Sequence, residues 1–257
     1  FSFKKIITNY MRKLTQIIVF LFIFFVNVDI VFSCRLWCIL PANGNSMNTI
    51  NIQLITNEAE YFQSLGEYYD DGWSLSYYNT ANELSDIHRS FIPSHIDSNF
   101  QIFFSEILNP DNEAKTTFGH LRVTSSGANG IANPHPFVYT INDEKYSLIH
   151  NGTISKDYLL FLLTEGGVDS TWINNNPPQT FNEYSWDADS GWANVVDSEL
   201  LLLWLMKNIL GQETNVNDVE SIIYSLQQLE ILEPHSQKNF IFTNGQFTYA
   251  YRSENDE

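Results

Sequence analysis

The sequence predicts an α+β protein with mainly antiparallel sheets, and three observations lead to that class. Its 257 residues, of which 44% are hydrophobic and 17% charged, are enough for one large domain with a substantial core. Strand-like and helix-like stretches follow one another in a mixed order, without the regular βαβ repetition that gives a parallel sheet. The pair Asn244-Gly245 stands between two alternating apolar runs, which is typical of a β-hairpin. Antiparallel strands with helices packed outside them account for all three.

The first half of the domain is expected to open with a strand. The stretch "CRLWCIL" from Cys34 is rich in strand-forming residues, and "NEAEYFQSLGEYY" (57–69) has the composition of a helix. Gly72 is expected to make a turn into the strand "WSLSYY". The stretch "TTFGHLRVTSSG" (116–127) is predicted to be a strand that leaves into a Ser/Gly loop.

The second half is expected to contain a strand, three helices and the hairpin. The stretch "KYSLIHNGTI" (145–154) is predicted to be a strand that ends in a tight Asn-Gly turn. A helix follows, with Ser155 as its N-cap and Gly166 as its stop signal. Residues 197–211 are strongly apolar and predict a largely buried helix, whereas 217–232 predict an amphipathic one.

Residues 170–194 differ from the rest of the chain. The segment is rich in Asn, Pro and Trp and shows no periodicity. It is long for a simple connection, so a lid or specificity loop is one interpretation, and a decorated surface loop is the other.

The residues ahead of Cys34 have the pattern of a secretory signal peptide. The chain begins with Phe, and we expect translation to start at Met11, with an upstream extension before it. Two basic residues follow Met11, and the ten apolar residues 17–26 have the length of a signal-peptide core, since a spanning helix needs about 20. A membrane anchor is the alternative, but Asn27 and Asp29 interrupt any longer apolar span.

Cleavage after Ser33 would make Cys34 the first residue of the mature protein. Val31 and Ser33 occupy the positions at which signal peptidase requires small or compact residues. The expected organisation is a signal peptide with its extension at 1–33 and a single domain at 34–257, secreted or periplasmic. The chain stops soon after the strand "FTYAYR", which leaves open a missing C-terminal piece.

The two cysteines, Cys34 and Cys38, are too far apart on a strand to pair. Residues four apart on a strand are about 13 Å from each other, whereas a disulfide needs Cα atoms within roughly 7 Å. No nearby His or Cys completes a metal site, so we expect neither metal nor cofactor. Cys38 is interpreted as a core thiol. Cys34 would carry its own general base if it became N-terminal, because a free α-amine has a pKa of about 8. A lipidated Cys34 is the alternative, since lipoproteins also begin at Cys.

Six short motifs follow one another along the domain: "CRLWCIL" at Cys34, "DGWSLSYY" at Asp71, "GHLRVTSSG" at Gly119, "NPHPF" at Asn133, "HNGTI" at His150 and "DSELL" at Asp197. In this order and spacing they resemble the class II glutamine amidotransferases of the N-terminal-nucleophile hydrolases, in particular small stand-alone members whose mature chain opens "CRL". The resemblance runs from Cys34 to about Arg252. It implies a four-layer αββα sandwich of two mainly antiparallel sheets flanked by helices.

The resemblance also implies roles in amide hydrolysis. Cys34 would be the nucleophile, and the Asn151 side-chain NH₂ with the Gly152 backbone N–H would hold the oxyanion of the tetrahedral intermediate. A plain hairpin turn is the alternative for the Asn-Gly pair. His135 and His150 are expected to belong to the scaffold rather than to the chemistry.

Glutamine carries both charges at its α-carbon, so its site needs both signs. By resemblance, Arg122 would bind the α-carboxylate through a forked hydrogen bond and Asp197 would bind the α-ammonium. Thr124 and Ser125 would offer hydroxyls and loop amides beside them. Asp197 also has an alternative role as a helix N-cap.

Charge and chain length limit the partners. The formal net charge of -17 argues against nucleic acid, because phosphate binding needs clustered Lys and Arg. No synthase domain fits in this chain, and a secreted enzyme would have no evident ammonia acceptor. We therefore expect a hydrolase for glutamine or a small γ-glutamyl compound, with the oligomeric state left open. The alternative is a non-enzymatic amino-acid-binding protein whose Cys34 is modified.

Overall fold

The structure is a computed structural model that describes residues 34–41, 45–49, 51–123, 135–179, 185–211 and 218–253. The expected signal peptide (1–33), Thr124, Ser125 and Asn133 lie outside the described residues. In chain order the elements are β1 (Arg35–Ile39), α1 (Ile52–Ser64), β2 (Trp73–Asn79), β3 (His88–Ser90), α2 (Ser98–Leu108), β4 (Ala114–Leu121), β5 (Phe137–Ile141), β6 (Glu144–Thr153), α3 (Lys156–Leu163), α4 (Thr171–Asn175), α5 (Asp189–Asn194), α6 (Asp197–Gly211), α7 (Asp218–Leu232), β7 (Gln237–Thr243) and β8 (Thr248–Tyr251).

The strands form two antiparallel four-stranded sheets, in the orders β1-β4-β2-β3 and β5-β6-β7-β8. A core that includes Trp73 and Phe100 lies between the first sheet and α1 and α2. A larger core lies between the second sheet and α3, α6 and α7. The inner faces of the two sheets meet at Phe118, Ile149 and Ile241. These layers form the predicted αββα sandwich, and the predicted α+β class is confirmed.

A tyrosine also joins the two sheets through its hydroxyl. Tyr78 of β2 is fully buried, and its hydroxyl lies 2.7 Å from the Ser147 hydroxyl of β6. The same hydroxyl donates to the carbonyl oxygen of Lys145 at 2.8 Å. Because a buried phenol is stable only with partners, these contacts specify how the sheets face each other.

The first predicted helix begins earlier than its composition suggested. It was expected at 57–69, but α1 starts at Ile52 because the Asn51 side chain caps it by accepting from the Leu54 N–H at 3.3 Å. It ends at Ser64, and a 3₁₀ turn continues to Glu67.

The expected turn at Asn151-Gly152 is wrong. Strand β6 continues through both residues, because they pair in register with Asn239 and Lys238 of β7. The hairpin predicted at Asn244-Gly245 is confirmed, since it connects β7 to β8 through a four-residue loop.

The helix signals of the second half are confirmed with small shifts. Ser155 caps α3 by accepting from the Tyr158 N–H at 3.4 Å, and Gly166, at φ +76°, follows the end of that helix. The helix α6 is buried along most of its length. None of the helices within the described ranges is long and apolar enough to cross a membrane.

The segment 170–194 holds two short helices, α4 and α5, and its residues 180–184 lie outside the described part. The Tyr139 hydroxyl lies 2.6 Å from the Asn176 amide oxygen, which binds one end of the segment to β5. The Lys156 ammonium donates to the carbonyl oxygens of Trp192 and Val195 at 2.6 and 3.1 Å, which binds the other end to α3. A lid or specificity role for the segment stays a prediction.

Candidate active site

Cys34 lies directly before β1, at the end of the space between the two sheets. Leu36 and Cys38 pack against the cluster that joins the sheets, and side chains alternate along a strand, so Cys34 belongs to the same face. Its sulfur accepts from the Val123 N–H and donates to the Val123 carbonyl oxygen, both at 3.4 Å. Cys34 and Cys38 are free thiols, so the prediction that they do not pair is confirmed.

The thiol of Cys34 is protonated at neutral pH in this environment. Burial raises its pKa to about 11, while the Val123 N–H and the positive charge of Arg122 partly oppose the shift. Because only a thiolate is a strong nucleophile, chemistry at this sulfur requires a base.

Arg35 binds the backbone of Cys34, a role that the sequence did not predict. The Arg35 guanidinium donates to the Cys34 carbonyl oxygen at 3.2 Å. The same guanidinium stacks 4.4 Å from the ring centre of Tyr69, a cation–π contact that fixes its direction. The only sequence signal for this role was the position of Arg35 within the "CRL" motif.

Arg122 lies in the first residues after β4 and is 4% exposed. Its backbone N–H donates to the Gly72 carbonyl at 2.9 Å, and its carbonyl accepts from the Asp71 N–H at 3.2 Å. Burial lowers the pKa of Arg122, and the charge of Asp71 opposes that shift. The two motifs "DGW" and "GHLR", distant in sequence, therefore form one corner of the site.

The oxyanion candidates Asn151 and Gly152 lie in β6. Ile149 packs between the sheets, so alternation places Asn151 on the same inner face, towards the end where Cys34 lies. Gly152 has φ +152°, and a Cβ at this position would lie 1.9 Å from the Gln237 carbonyl oxygen. Only glycine fits this approach of β6 to β7.

Asp197 is the first residue of α6 and is 3% exposed. Its Oδ2 accepts from the Ile154 N–H at 2.9 Å, just beyond the end of β6. The N–H groups of Glu199 and Leu200 donate to the Val196 carbonyl, and the carboxylate bond to Ile154 joins the start of α6 to the residue that follows β6. Its charge also raises the pKa of Cys34.

The buried histidines lie around the site. His150 Nδ1 lies 2.9 Å from the Ser198 hydroxyl, and the His135 ring stacks on His120 with centroids 3.9 Å apart. Burial holds the pKa of His135 well below its ordinary value and also lowers that of His150. Both rings are therefore neutral at pH 7.

The structure thus brings together three of the predicted site residues: Cys34, Arg122 and Asp197. Asn151 and Gly152 lie two to three residues from Ile154, which contacts Asp197. The hydroxyls expected from residues 124 and 125 lie outside the described residues. Within the described ranges, no group of three or more His, Cys, Asp or Glu side chains could hold a metal ion.

The protein is thus an α+β sandwich with a candidate site around Cys34. The sequence profile of the family described as glutamine amidotransferases class-II matches residues 42–171, just over half of the chain. The chain therefore belongs to the class II glutamine amidotransferase family. The matched range contains Arg122, Asn151 and Gly152, whereas Cys34 lies before it and Asp197 after it.

Two individual proteins are similar to this chain. An uncharacterized protein of Methanocaldococcus jannaschii is 21% identical over 203 residues, which cover 79% of this chain and 47% of that protein. The chain thus spans about half the length of this curated relative. The crystal structure of a "predicted glutamine amidotransferase" from Pseudomonas aeruginosa is 14% identical, covers 72% of this chain and 60% of its own, and has a TM-score of 0.41. Family membership rests on the profile match.

Proposed function

We propose that the protein hydrolyses the γ-amide of glutamine or of a γ-glutamyl compound, with Cys34 as its nucleophile. Membership of the class II glutamine amidotransferases suggests amidohydrolase activity. The observation that supports the specific reaction is that the Cys34 thiol lies within electrostatic range of both the Arg122 cation and the Asp197 carboxylate. This set matches what cleavage of a zwitterionic amide requires.

The two charged residues would hold the α-carbon of the substrate. The Arg122 guanidinium would bind the α-carboxylate with two parallel hydrogen bonds. The Asp197 carboxylate, which the Ile154 N–H holds through Oδ2, would bind the α-ammonium. The desolvated surroundings of both residues strengthen these contacts, because charges attract more strongly away from water.

The reaction would proceed through a thioester. The free α-amine of mature Cys34 takes the thiol proton, and the thiolate attacks the γ-carbonyl carbon. The Asn151 NH₂ and the Gly152 N–H hold the oxyanion that forms. The protonated α-amine then gives its proton to the departing nitrogen, and ammonia or an amine leaves. Water attacks the thioester with the same amine as base, which releases glutamate and restores the thiol.

This mechanism requires the mature chain to begin at Cys34. Expression from Met11 in a secreting host, followed by N-terminal sequencing and intact mass, should show a free Cys34 in the exported protein. The purified protein should release ammonia from glutamine, or amine from γ-glutamyl peptides or γ-glutamyl anilide. A diacylglycerol mass on Cys34 would instead support a lipid-anchored binding protein. Retention of residues 11–33 would contradict the mechanism, because no α-amine would adjoin the thiol.

Replacing Asn151 by alanine should lower kcat by about 10²–10³-fold, the usual cost of one oxyanion donor. KM should change little, because the donor acts mainly on the transition state. Steady-state hydrolysis of the best substrate measures both constants. Asn208→Ala is a matched control, since its amide donates to the Trp204 carbonyl within α6, away from the site. An unchanged kcat in Asn151→Ala would remove this residue from the oxyanion site.

Replacing Arg122 by lysine should raise KM for glutamine by about 10–100-fold, because one charge-assisted hydrogen bond of the fork is lost. The comparison substrate is 4-aminobutanamide, which lacks the α-carboxylate. Wild type and variant should hydrolyse it equally, which isolates the carboxylate contact. Arg89→Lys controls for the loss of a guanidinium that donates to backbone carbonyls, since Arg89 donates to those of His135 and Pro136. An equal loss on both substrates would contradict the assignment.

A further inference from the structure

Two hydrogen bonds join β6 and the residue that follows it to α6, one on each side of Asn151-Gly152. Before the pair, His150 Nδ1 lies 2.9 Å from the Ser198 hydroxyl. After it, the Ile154 N–H donates to Asp197 at 2.9 Å. The helix partners are the adjacent residues 197 and 198. We call these two contacts the β6–α6 clamp.

The first contact has a defined direction. His150 Nε2 faces the Gln237 carbonyl oxygen at 3.4 Å, which can only accept, so Nε2 carries the ring proton. Nδ1 is then the acceptor, and the Ser198 hydroxyl donates to it. Burial lowers the pKa of His150, which keeps this neutral form at pH 7.

The clamp lies in a rigid part of the molecule. His150 is 1% exposed and Ser198 is 3% exposed. The pairing of β6 with β7 and the apolar packing of α6 do not depend on the serine hydroxyl. Loss of that hydroxyl should therefore leave the fold intact but let Asn151 and Gly152 shift relative to Asp197.

We propose that Ser198 is a positioning residue for the amide hydrolysis: through His150 it holds the oxyanion donors Asn151 and Gly152 at a fixed place relative to Asp197. The role rests on the proposed function. Oxyanion donors act only when they lie within hydrogen-bonding distance of the place where the charge develops, so a small displacement affects the transition state more than substrate binding. The signature is a loss in kcat without a matching rise in KM.

The test is a set of variants in the full chain, assayed with glutamine or the γ-glutamyl substrate that the wild type uses. Ser198→Ala should lower kcat about tenfold, less than the 10²-fold that a misplacement of about 1 Å can cost, and leave KM within about twofold. Iodoacetamide should alkylate Cys34 at the wild-type rate, because the nucleophile is untouched. Ser225→Ala is the matched control: this fully buried hydroxyl donates to the Ser221 carbonyl in α7, and its loss should leave kcat unchanged.

Two substitutions of His150 distinguish the effect of losing the hydrogen bond to Ser198 from the effect of losing the packing of the imidazole ring. In His150→Asn the side-chain oxygen can occupy the place of Nδ1 and accept from Ser198, so most of kcat should be retained. In His150→Gln the side-chain amide reaches the position of Nε2 and leaves no acceptor for the Ser198 hydroxyl. The kcat should therefore fall as in Ser198→Ala. The double variant Ser198→Ala/His150→Gln should be no slower than either single variant, because both remove the same contact. If Ser198→Ala does not fold, the difference in kcat between His150→Asn and His150→Gln tests the role of Ser198.

Three results would overturn the role: wild-type kcat in Ser198→Ala, an equal loss in Ser225→Ala, or additive losses in the double variant. Each of these presupposes an active wild type and leaves the proposed function standing. A wild-type protein with a free N-terminal Cys34 and no amidase activity would overturn the proposed function and this role together.

Discussion

The Cys34→Ala variant is expected to release no ammonia from glutamine and no amine from a γ-glutamyl substrate. Alanine removes the sulfur that would form the acyl-enzyme, and no covalent intermediate can then form at this residue. Cys34→Ser should also be inactive, because a hydroxyl is far less acidic than a thiol and the α-amine is a weak base for it. Product release in a coupled assay measures the loss.

A second measurement identifies the intermediate. Intact mass of the wild type, quenched during turnover, should show a γ-glutamyl adduct on Cys34, and Cys34→Ala should show none. Cys38→Ala is the matched control, because Cys38 is also a free thiol, lies on the same inner face and should be dispensable for activity. Activity that persists in Cys34→Ala would end the assignment of this residue as nucleophile.

The Gly152→Ala variant is expected to lose stability and activity together. The added Cβ would lie 1.9 Å from the Gln237 carbonyl oxygen, so β6 and β7 would have to separate. Overpacking and an unfavourable φ should lower the free energy of unfolding by about 2–5 kcal/mol in total. The same separation displaces the Gly152 N–H from the oxyanion. Urea denaturation and steady-state kinetics measure the two losses.

Substitutions at two other glycines distinguish the steric clash from the backbone strain as causes of the stability loss. Gly167 has φ +84° but nothing within 4 Å of an added Cβ, so Gly167→Ala should cost only the backbone strain, about 1–2 kcal/mol. Gly211 has neither a positive φ nor a close neighbour, so Gly211→Ala should be close to neutral. Both should keep full activity. If Gly152→Ala were no less stable than Gly167→Ala, the contact with Gln237 would not be the reason for glycine here.

The class of fold and most of its elements were predictable because their signals are local. The stretches "WSLSYY" and "KYSLIHNGTI" predicted the strands β2 and β6, the Asn244-Gly245 pair predicted the β7–β8 hairpin, and Ser155 marked the start of α3. These patterns depend on residues a few positions apart, which determine backbone conformation and the face that each side chain presents. The order of six motifs was likewise enough to indicate the family that the profile match confirms.

The wrong turn at Asn151-Gly152 and the unforeseen partner of Asp197 both reflect contacts between distant parts of the chain. The Asn151-Gly152 pair favours a turn by itself, but β7 supplies hydrogen bonds that keep it in a strand. Asp197 was recognised as the start of a helix, but the bond of its Oδ2 to the Ile154 N–H had no local signal. In both cases the decisive partner lies more than 40 residues away, beyond the reach of any local pattern.

The sequence by itself therefore indicated which residues belong to the candidate site, whereas tertiary packing decided the geometry of that site. A thiol, a guanidinium and a carboxylate could be nominated as Cys34, Arg122 and Asp197 from their motifs alone. Only the stacking of two sheets between helices brings them together, since Cys34 and Arg122 adjoin the paired strands β1 and β4 of one sheet, whereas Asp197 begins a helix that packs on the other. The contact of Arg35 with Tyr69 and that of His150 with Ser198 had no sequence signal of their own, because each depends on two elements that meet only in the folded protein.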